Sequence, residues 1–225
     1  MLKVYGITYG NHKTEYLEYR NEFKEKLWRF ENNCMIDIIE KEKSAPEFHW
    51  NNDYLGIFSC RFREKTGISS DRLFNTFHNA KILIRHIDVY NLSPDLGNNI
   101  AGYGNFMDWS EAGHKGIKKL IQACCDHIGI IYENNPDQVI YANQFIARKS
   151  VYIDYIERVI KPCLELLEGP LWNQVNVEAG YTAGLEKEEL KKYTGLDFYN
   201  FLPFICERMM MQYVHSEKLK TIRLI

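Results

Sequence analysis

No stretch of about 18 consecutive apolar residues occurs in this chain, so no membrane-spanning helix is expected. The first ten residues, MLKVYGITYG, lack the charged and apolar regions of a signal peptide, so a soluble, cytoplasmic protein is expected. There is also no surplus of positive charge. Against 30 Asp and Glu stand 28 Lys and Arg, a net charge of -2, so no global basic field exists to hold nucleic acid. No CxxC pair and no His-spaced cysteine set is present to build a zinc site. The six cysteines lie inside apolar runs, where a thiol behaves as a small hydrophobe, and are read as reduced core residues. Neither GxxxxGK(S/T) nor a GxGxxG after the first apolar run occurs, which excludes the P-loop and dinucleotide enzymes. Internal repeats and low-complexity tracts are absent too.

What is present is an alternation of short apolar runs and amphipathic stretches. In 225 residues with 45% hydrophobic content it implies one α/β domain covering 1–225. KVYGITYG reads as a strand running into Gly10, followed by a helix over 14–29 with Tyr16, Tyr19, Phe23, Leu27 and Phe30 at helical spacing. MIDII, residues 35–39, reads as a second strand. YLGIFSCRF, 54–62, is apolar without alternation, as suits a strand covered on both faces. A Ser-capped helix follows, and KILIRHIDVY, 81–90, reads as a fourth strand. The segments 4–8, 35–39, 54–62 and 82–90 are therefore expected side by side in a central, mostly parallel sheet flanked by helices. Residues 91–109 read as a long, aromatic-rich loop of the kind that compact domains keep for function. Beyond it, helices are expected over 115–128, over 150–167 with a kink at Pro162, and over 198–215.

Three short motifs carry a resemblance. Tyr141, Asn143, Phe145, Arg148 and Lys149 make a Y-x-N-x-F-x-x-(K/R)-K strand that runs into a helix. Glu207-Arg208 interrupts the apolar run FLPFICERMMMQYV, and DYLGIFSCRFREKTG is an apolar strand followed by a basic segment. Together they resemble the bacterial capsular-polysaccharide glycosyltransferases, of GT-A-like, nucleotide-diphospho-sugar transferase type. The resemblance implies a nucleotide-sugar-binding half, 1–110, and an acceptor-side half, 111–225. It implies glycosyl transfer from a nucleotide sugar to a carbohydrate acceptor in surface polysaccharide synthesis. It also implies an Asp-x-Asp holding manganese or magnesium on the donor diphosphate, and this chain contains no Asp-x-Asp.

The candidate site residues follow from these readings. Tyr9 and Gly10 stand at the carboxyl end of the first strand, where open α/β sheets bind ligands, although Gly10 also suits a plain strand-to-helix turn. Arg61, Arg63 and Lys65 are cations placed to neutralise a leaving diphosphate, or else a solvated basic loop. His86 and Asp88, alternate residues of the fourth strand, are the substitute metal pair, with a solvated strand end as the alternative. Asp95 and Glu207 are the acids available to activate an acceptor hydroxyl. Arg208 binds diphosphate, the alternative for it and for Glu207 being buried structural ion pairing, each with its own partner elsewhere because adjacent helix residues do not face one another. The Asn143 amide is met by backbone or by a sugar hydroxyl. A non-catalytic carbohydrate- or nucleotide-binding module of the same fold, and a protein serving only a macromolecular partner, are the competing readings.

Overall fold

The computed structural model describes residues 1–9, 12–45, 53–83, 86–94, 102–136, 138–140, 142–180 and 186–224. Six strands make one sheet: β1 (Leu2–Thr8), β2 (Leu17–Arg20), β3 (Tyr54–Ser59), β4 (Val89–Asn91), β5 (Phe145–Arg148) and β6 (Thr221–Arg223). Their order is β2-β1-β3-β5-β4-β6. β1 pairs in parallel with β2 and β3, and β4 with β6, while β5 runs antiparallel between β3 and β4. Five strands thus point one way and β5 the other. The sheet is mixed, and its carboxyl edge also receives the amino end of β5.

Side chains alternate across the pleat and so sort into two cores. Val4, Tyr54, Phe58, Tyr90 and Ile146 face a smaller cluster closed by Phe62 from α2 (Phe62–Thr66), Leu73 and Phe77 from α3 (Ser70–Leu83) and Ile68 from the turn between them. Ile7, Leu55, Ile57, Val89, Phe145 and Ala147 face the larger one. That side is covered by α1 (Glu31–Ser44), α4 (Phe106–Gly113), α5 (Ile117–Ile128), α6 (Lys149–Asp154), α7 (Lys161–Glu168) and, after the short α8 (Trp172–Val175) and α9 (Lys187–Thr194), by α10 (Leu202–Ser216). The domain is α/β, with helices on both faces of the sheet. Among the described residues no helix is long and apolar enough to cross a membrane.

Three sequence expectations are corrected. Residues 35–39 are helical, not a strand: Cys34, Met35, Ile38, Ile39 and Glu42 are buried along one face of α1, a helical spacing that a five-residue window misses. Within 14–29 the chain forms the edge strand β2 and a 3-10 turn (Leu27–Arg29), not a helix. Tyr16 packs edge-on to Phe58, at 5.6 Å, on the small-core side, whereas the Tyr19 hydroxyl bonds Asp37 on α1. Residues three apart share a helix face but lie on opposite faces of a strand. Of the described residues in 81–90, only Val89 and Tyr90 enter the sheet, because α3 continues to Leu83.

Before Pro162, where a kink is expected, the helix instead inserts a residue. Between α6 and α7 the helix widens into a π-turn, Tyr155–Ile160, where the Lys161 N–H donates to the Ile156 carbonyl five residues back. A proline lacks the N–H for a helical bond and crowds the carbonyl four residues before it, and the wider turn accommodates both effects. At the other edge, Gly6 is required by contact: a Cβ there would collide with the Thr14 side chain.

Candidate active site

After β1 the chain turns to β2 on one side, and β3 then adds on the other. This makes a switch point at the carboxyl ends of β1 and β3, where open α/β sheets form a ligand crevice. A cleft of about 490 Å³ lies there. Tyr9 enters from the end of β1, and Ser59, Arg61 and Lys65 from β3 and α2. Ala142 and Gln144 enter from the turn before β5, and Phe30 and Glu31 from the start of α1. Tyr199, Phe204, Glu207 and Arg208 close it from α10 and its approach, with Trp109 and His114 at the side. A recess of about 180 Å³, walled by Tyr103, Trp109, Ser110 and His114, shares Arg208 with it.

The wall is aromatic. The Tyr9 ring lies 5.7 Å from Phe30 and 5.6 Å from Tyr193, and Phe30 lies 6.0 Å from Tyr199. His114 packs 4.3 Å from Phe204, and its Nδ1–H donates to the Ala179 carbonyl at 2.9 Å, which leaves Nε2 as the acceptor in the neutral ring. Burial lowers the pKa of that imidazole and favours the neutral form.

Arg208, 3% exposed, is held rigidly. Its Nε donates to Ser110 Oγ at 3.0 Å and its Nη1 to the Phe204 carbonyl at 2.6 Å, and the guanidinium lies 5.6 Å from the Phe106 ring centre. Glu207 Oε2 approaches Arg208 Nη1 at 3.9 Å, and its side chain keeps 26% exposure, enough to meet a ligand. Burial pushes the Glu207 carboxyl above its ordinary pKa, against the pull of Arg208 and Lys65. Burial pushes Glu31 up to about 7; Lys65 opposes this and Glu207 adds to it. Two carboxyls and three cations therefore share one aromatic cleft.

Backbone strain gathers at the same place. Phe30 has φ 51° and ψ -122°, and Ala142 and Asn143 are both left-handed, at φ 54° and 55°. Such conformations in non-glycine residues cost on the order of 1–3 kcal/mol each and persist where the surroundings enforce them. Asn143, 5% exposed, is thus a turn residue at the mouth of β5, not a strand residue.

Of the residues singled out in the sequence, Tyr9, Arg61, Lys65, Glu207 and Arg208 line this cleft. Arg61 also reaches Glu64 at 2.8 Å. Arg63 turns outward to an exposed pairing with Glu15, whose other oxygen accepts from the Ser70 N–H. His86 and Asp88 precede β4 and so stand at the opposite, amino edge of the sheet, away from Tyr9 and Arg61. There Asp88 accepts from the Lys220 N–H at 2.9 Å and lies 3.4 Å from Arg148 Nε, while His86 is exposed. His86, Asp88 and Arg63 therefore do not join Tyr9 and Arg61 in the cleft. Gly10, Asp95 and Tyr141 lie outside the described residues. Among the described residues, no group of three or more His, Cys, Asp or Glu is placed to hold a metal ion.

Glu31, Gln144, Phe30, His114 and Tyr199 were not anticipated from the sequence. An acidic residue opening a helix is a readable signal, but reading it required the helix over 31–44, which the strand-like MIDII concealed. The chain was compared with protein-family models, curated proteins and solved structures, and it matches none of them.

Proposed function

We propose that the cleft binds a nucleoside-diphosphate sugar and that this GT-A-like domain transfers its glycosyl group to a carbohydrate acceptor, in surface polysaccharide synthesis. The observation that carries the reading is the meeting of Arg61, Lys65 and Arg208 with the half-buried Glu207 in an aromatic-walled crevice at the carboxyl ends of β1 and β3. An anion suits three cations, and flat aromatic walls suit a base or the apolar face of a sugar. Arg61 and Lys65 attract the diphosphate, and the fixed guanidinium of Arg208 orients what lies beside Glu207. Glu207, as carboxylate, takes the proton of the acceptor hydroxyl. The adjoining recess beside Arg208 is the entry for that acceptor. Residues from both halves of the chain build the crevice, as a donor side and an acceptor side require.

Manganese or magnesium, which the family resemblance implies, does not fit the residues first considered for it. Asp88 is engaged by Lys220 and Arg148, and it stands at the far edge of the sheet. Charge neutralisation is therefore assigned to the cations of the cleft.

A thermal-stability screen across nucleoside-diphosphate sugars, with and without manganese, tests the reading. A ligand at 100 times its dissociation constant adds about 2.7 kcal/mol of stability. Lys65→Ala and Arg61→Ala should each weaken donor binding by about tenfold, and a chelator should change it by less than about twofold. No binding by any member of the series, or full binding by both variants, would refute the assignment. Donor binding without transfer to any carbohydrate acceptor would instead identify a non-catalytic module.

A further inference from the structure

The turn that delivers Glu31 to the cleft is secured by several hydrogen bonds. The segment leading to it bends through two non-glycine residues at positive φ, Lys26 at 50° and Phe30 at 51°. Glu168, the last residue of α7, ties that segment down: it accepts from Lys26 Nζ at 3.1 Å, from Trp28 Nε1 at 3.1 Å and from Arg29 Nη2 at 2.5 Å. The side-chain amides of Asn32 and Asn33 return hydrogen bonds to the carbonyls of Arg29, at 2.9 Å, and Lys26, at 3.1 Å. This bracing directs one carboxyl into the crevice that also holds Lys65 and Glu207.

The groups facing it come from every neighbouring element. Lys65 from α2 and Glu207 from α10 act on its charge. Tyr9 and Cys60, at the ends of β1 and β3, feel it, as do Tyr152 of α6 and Cys34 of α1. Arg61 and Arg208 line the same crevice. Besides Asn32 Oδ1 in the next residue, two polar groups nearby are buried without a hydrogen-bond partner among the described residues. The Tyr152 hydroxyl is one, and Gln144 Oε1, on a side chain 3% exposed and lining the crevice, is the other. Buried oxygens in native proteins are normally bonded, so an unmet amide oxygen in a crevice wall marks a place for a ligand's O–H or N–H.

We propose that Glu31 is a second functional carboxyl of this site, which in its protonated form donates a hydrogen bond to the diphosphate of the bound donor. The inference rests on the function proposed above. In the transfer, the acceptor oxygen bonds the anomeric carbon and its proton passes to the Glu207 carboxylate. The anomeric carbon–oxygen bond breaks, and its electron pair leaves on the diphosphate. Glu31 keeps its proton throughout and lends it to the departing oxygen as a hydrogen bond. An ionised Glu31 would repel the diphosphate, so binding of the anion is linked to uptake of one proton.

Calorimetric titration of UDP and of inorganic pyrophosphate into wild type, Glu31→Gln and Glu31→Ala, at pH 6 and pH 8.5, tests this. Gln keeps a neutral hydrogen-bond donor at every pH. Wild type should bind on the order of tenfold more weakly at pH 8.5 than at pH 6 relative to Glu31→Gln, which cancels the titration of the ligands themselves. Glu31→Ala should bind more weakly than Glu31→Gln at both values. The carbon resonance of the Glu31 carboxyl, followed against pH without ligand, should titrate near neutrality in a folded protein. If both ligands bind wild type and Glu31→Gln with the same pH dependence, the role of Glu31 is refuted while the anion site stands. If neither ligand binds any of the proteins, the donor-binding reading fails and takes this inference with it.

Discussion

At the scale of single residues, close contact explains what composition does not. Gly6 lies in the middle of β1, where a side chain would ordinarily strengthen a strand, yet the Thr14 side chain occupies the space that a Cβ would need. Gly6→Ala should cost about 1–3 kcal/mol in denaturant unfolding, as overpacking does, and Thr14→Gly in the same chain should recover most of the loss. Such a contact spans a turn and leaves no periodic trace. Tyr9, Arg61, Lys65, Glu207 and Arg208 were legible because each follows a strand or breaks an apolar run, and a charge in such a place needs a reason. Gln144 was not legible, since its unmet oxygen is a property of the fold around it.

Among elements, α1 shows both what a short apolar run hides and what it supports. Its far end carries Glu42, 3% exposed, which accepts from the Tyr5 hydroxyl at 2.6 Å, pairs with Lys149 at 2.6 Å and bonds Lys3. Burial alone would raise the Glu42 pKa, but the hydrogen bonds from Lys149, Lys3 and Tyr5 outweigh it and hold the group down to about 2. A carboxyl depressed in the folded state contributes stability above its unfolded value, near 4.5, and loses that contribution as pH falls toward 2. The shift corresponds to roughly 3 kcal/mol at neutral pH. Chemical denaturation should therefore find Glu42→Gln destabilised by about that amount at pH 7, with the gap to wild type narrowing progressively below pH 4.5. An unchanged gap at pH 3 would show that packing, not charge, is what Glu42 supplies. The helices over 117–128 and 202–216 were close to their expected ranges, because their apolar faces are long enough to show a period. β2, β4 and β6 are too short to show one and owe their conformation to the strands beside them.

For the whole molecule, the sheet has two edges with different tasks. The carboxyl edge holds the crevice, and the amino edge holds structural ion pairs, including Asp88 with Arg148 and Glu42 with Lys149. Alternation of strands and helices made the α/β class legible, but direction was not: nothing in FIAR marks β5 as the one reversed strand, because reversal follows from the path of the chain before it. This polarity separates stability from binding. Asp88→Ala should lower stability by about 0.5–1 kcal/mol by removing the exposed hydrogen bond to the Lys220 N–H, and it should leave the affinity for a nucleoside-diphosphate sugar within about twofold of wild type. Lys65→Ala should show the reverse pattern. Strong loss of affinity in Asp88→Ala would mean that the two edges are coupled.

The π-turn before Pro162 also sets angular phase. One residue more than a regular helix needs advances everything after it by about 100° around the axis. That advance fixes which way Glu168 points at the end of α7, and Glu168 holds Trp28 and Arg29. The turn that leads into Glu31 is therefore tied, through Glu168, to a proline far from it in the chain. Drift in the length of this helix by a single residue would turn Glu168 away from Trp28 and Arg29 without altering any residue of the crevice itself.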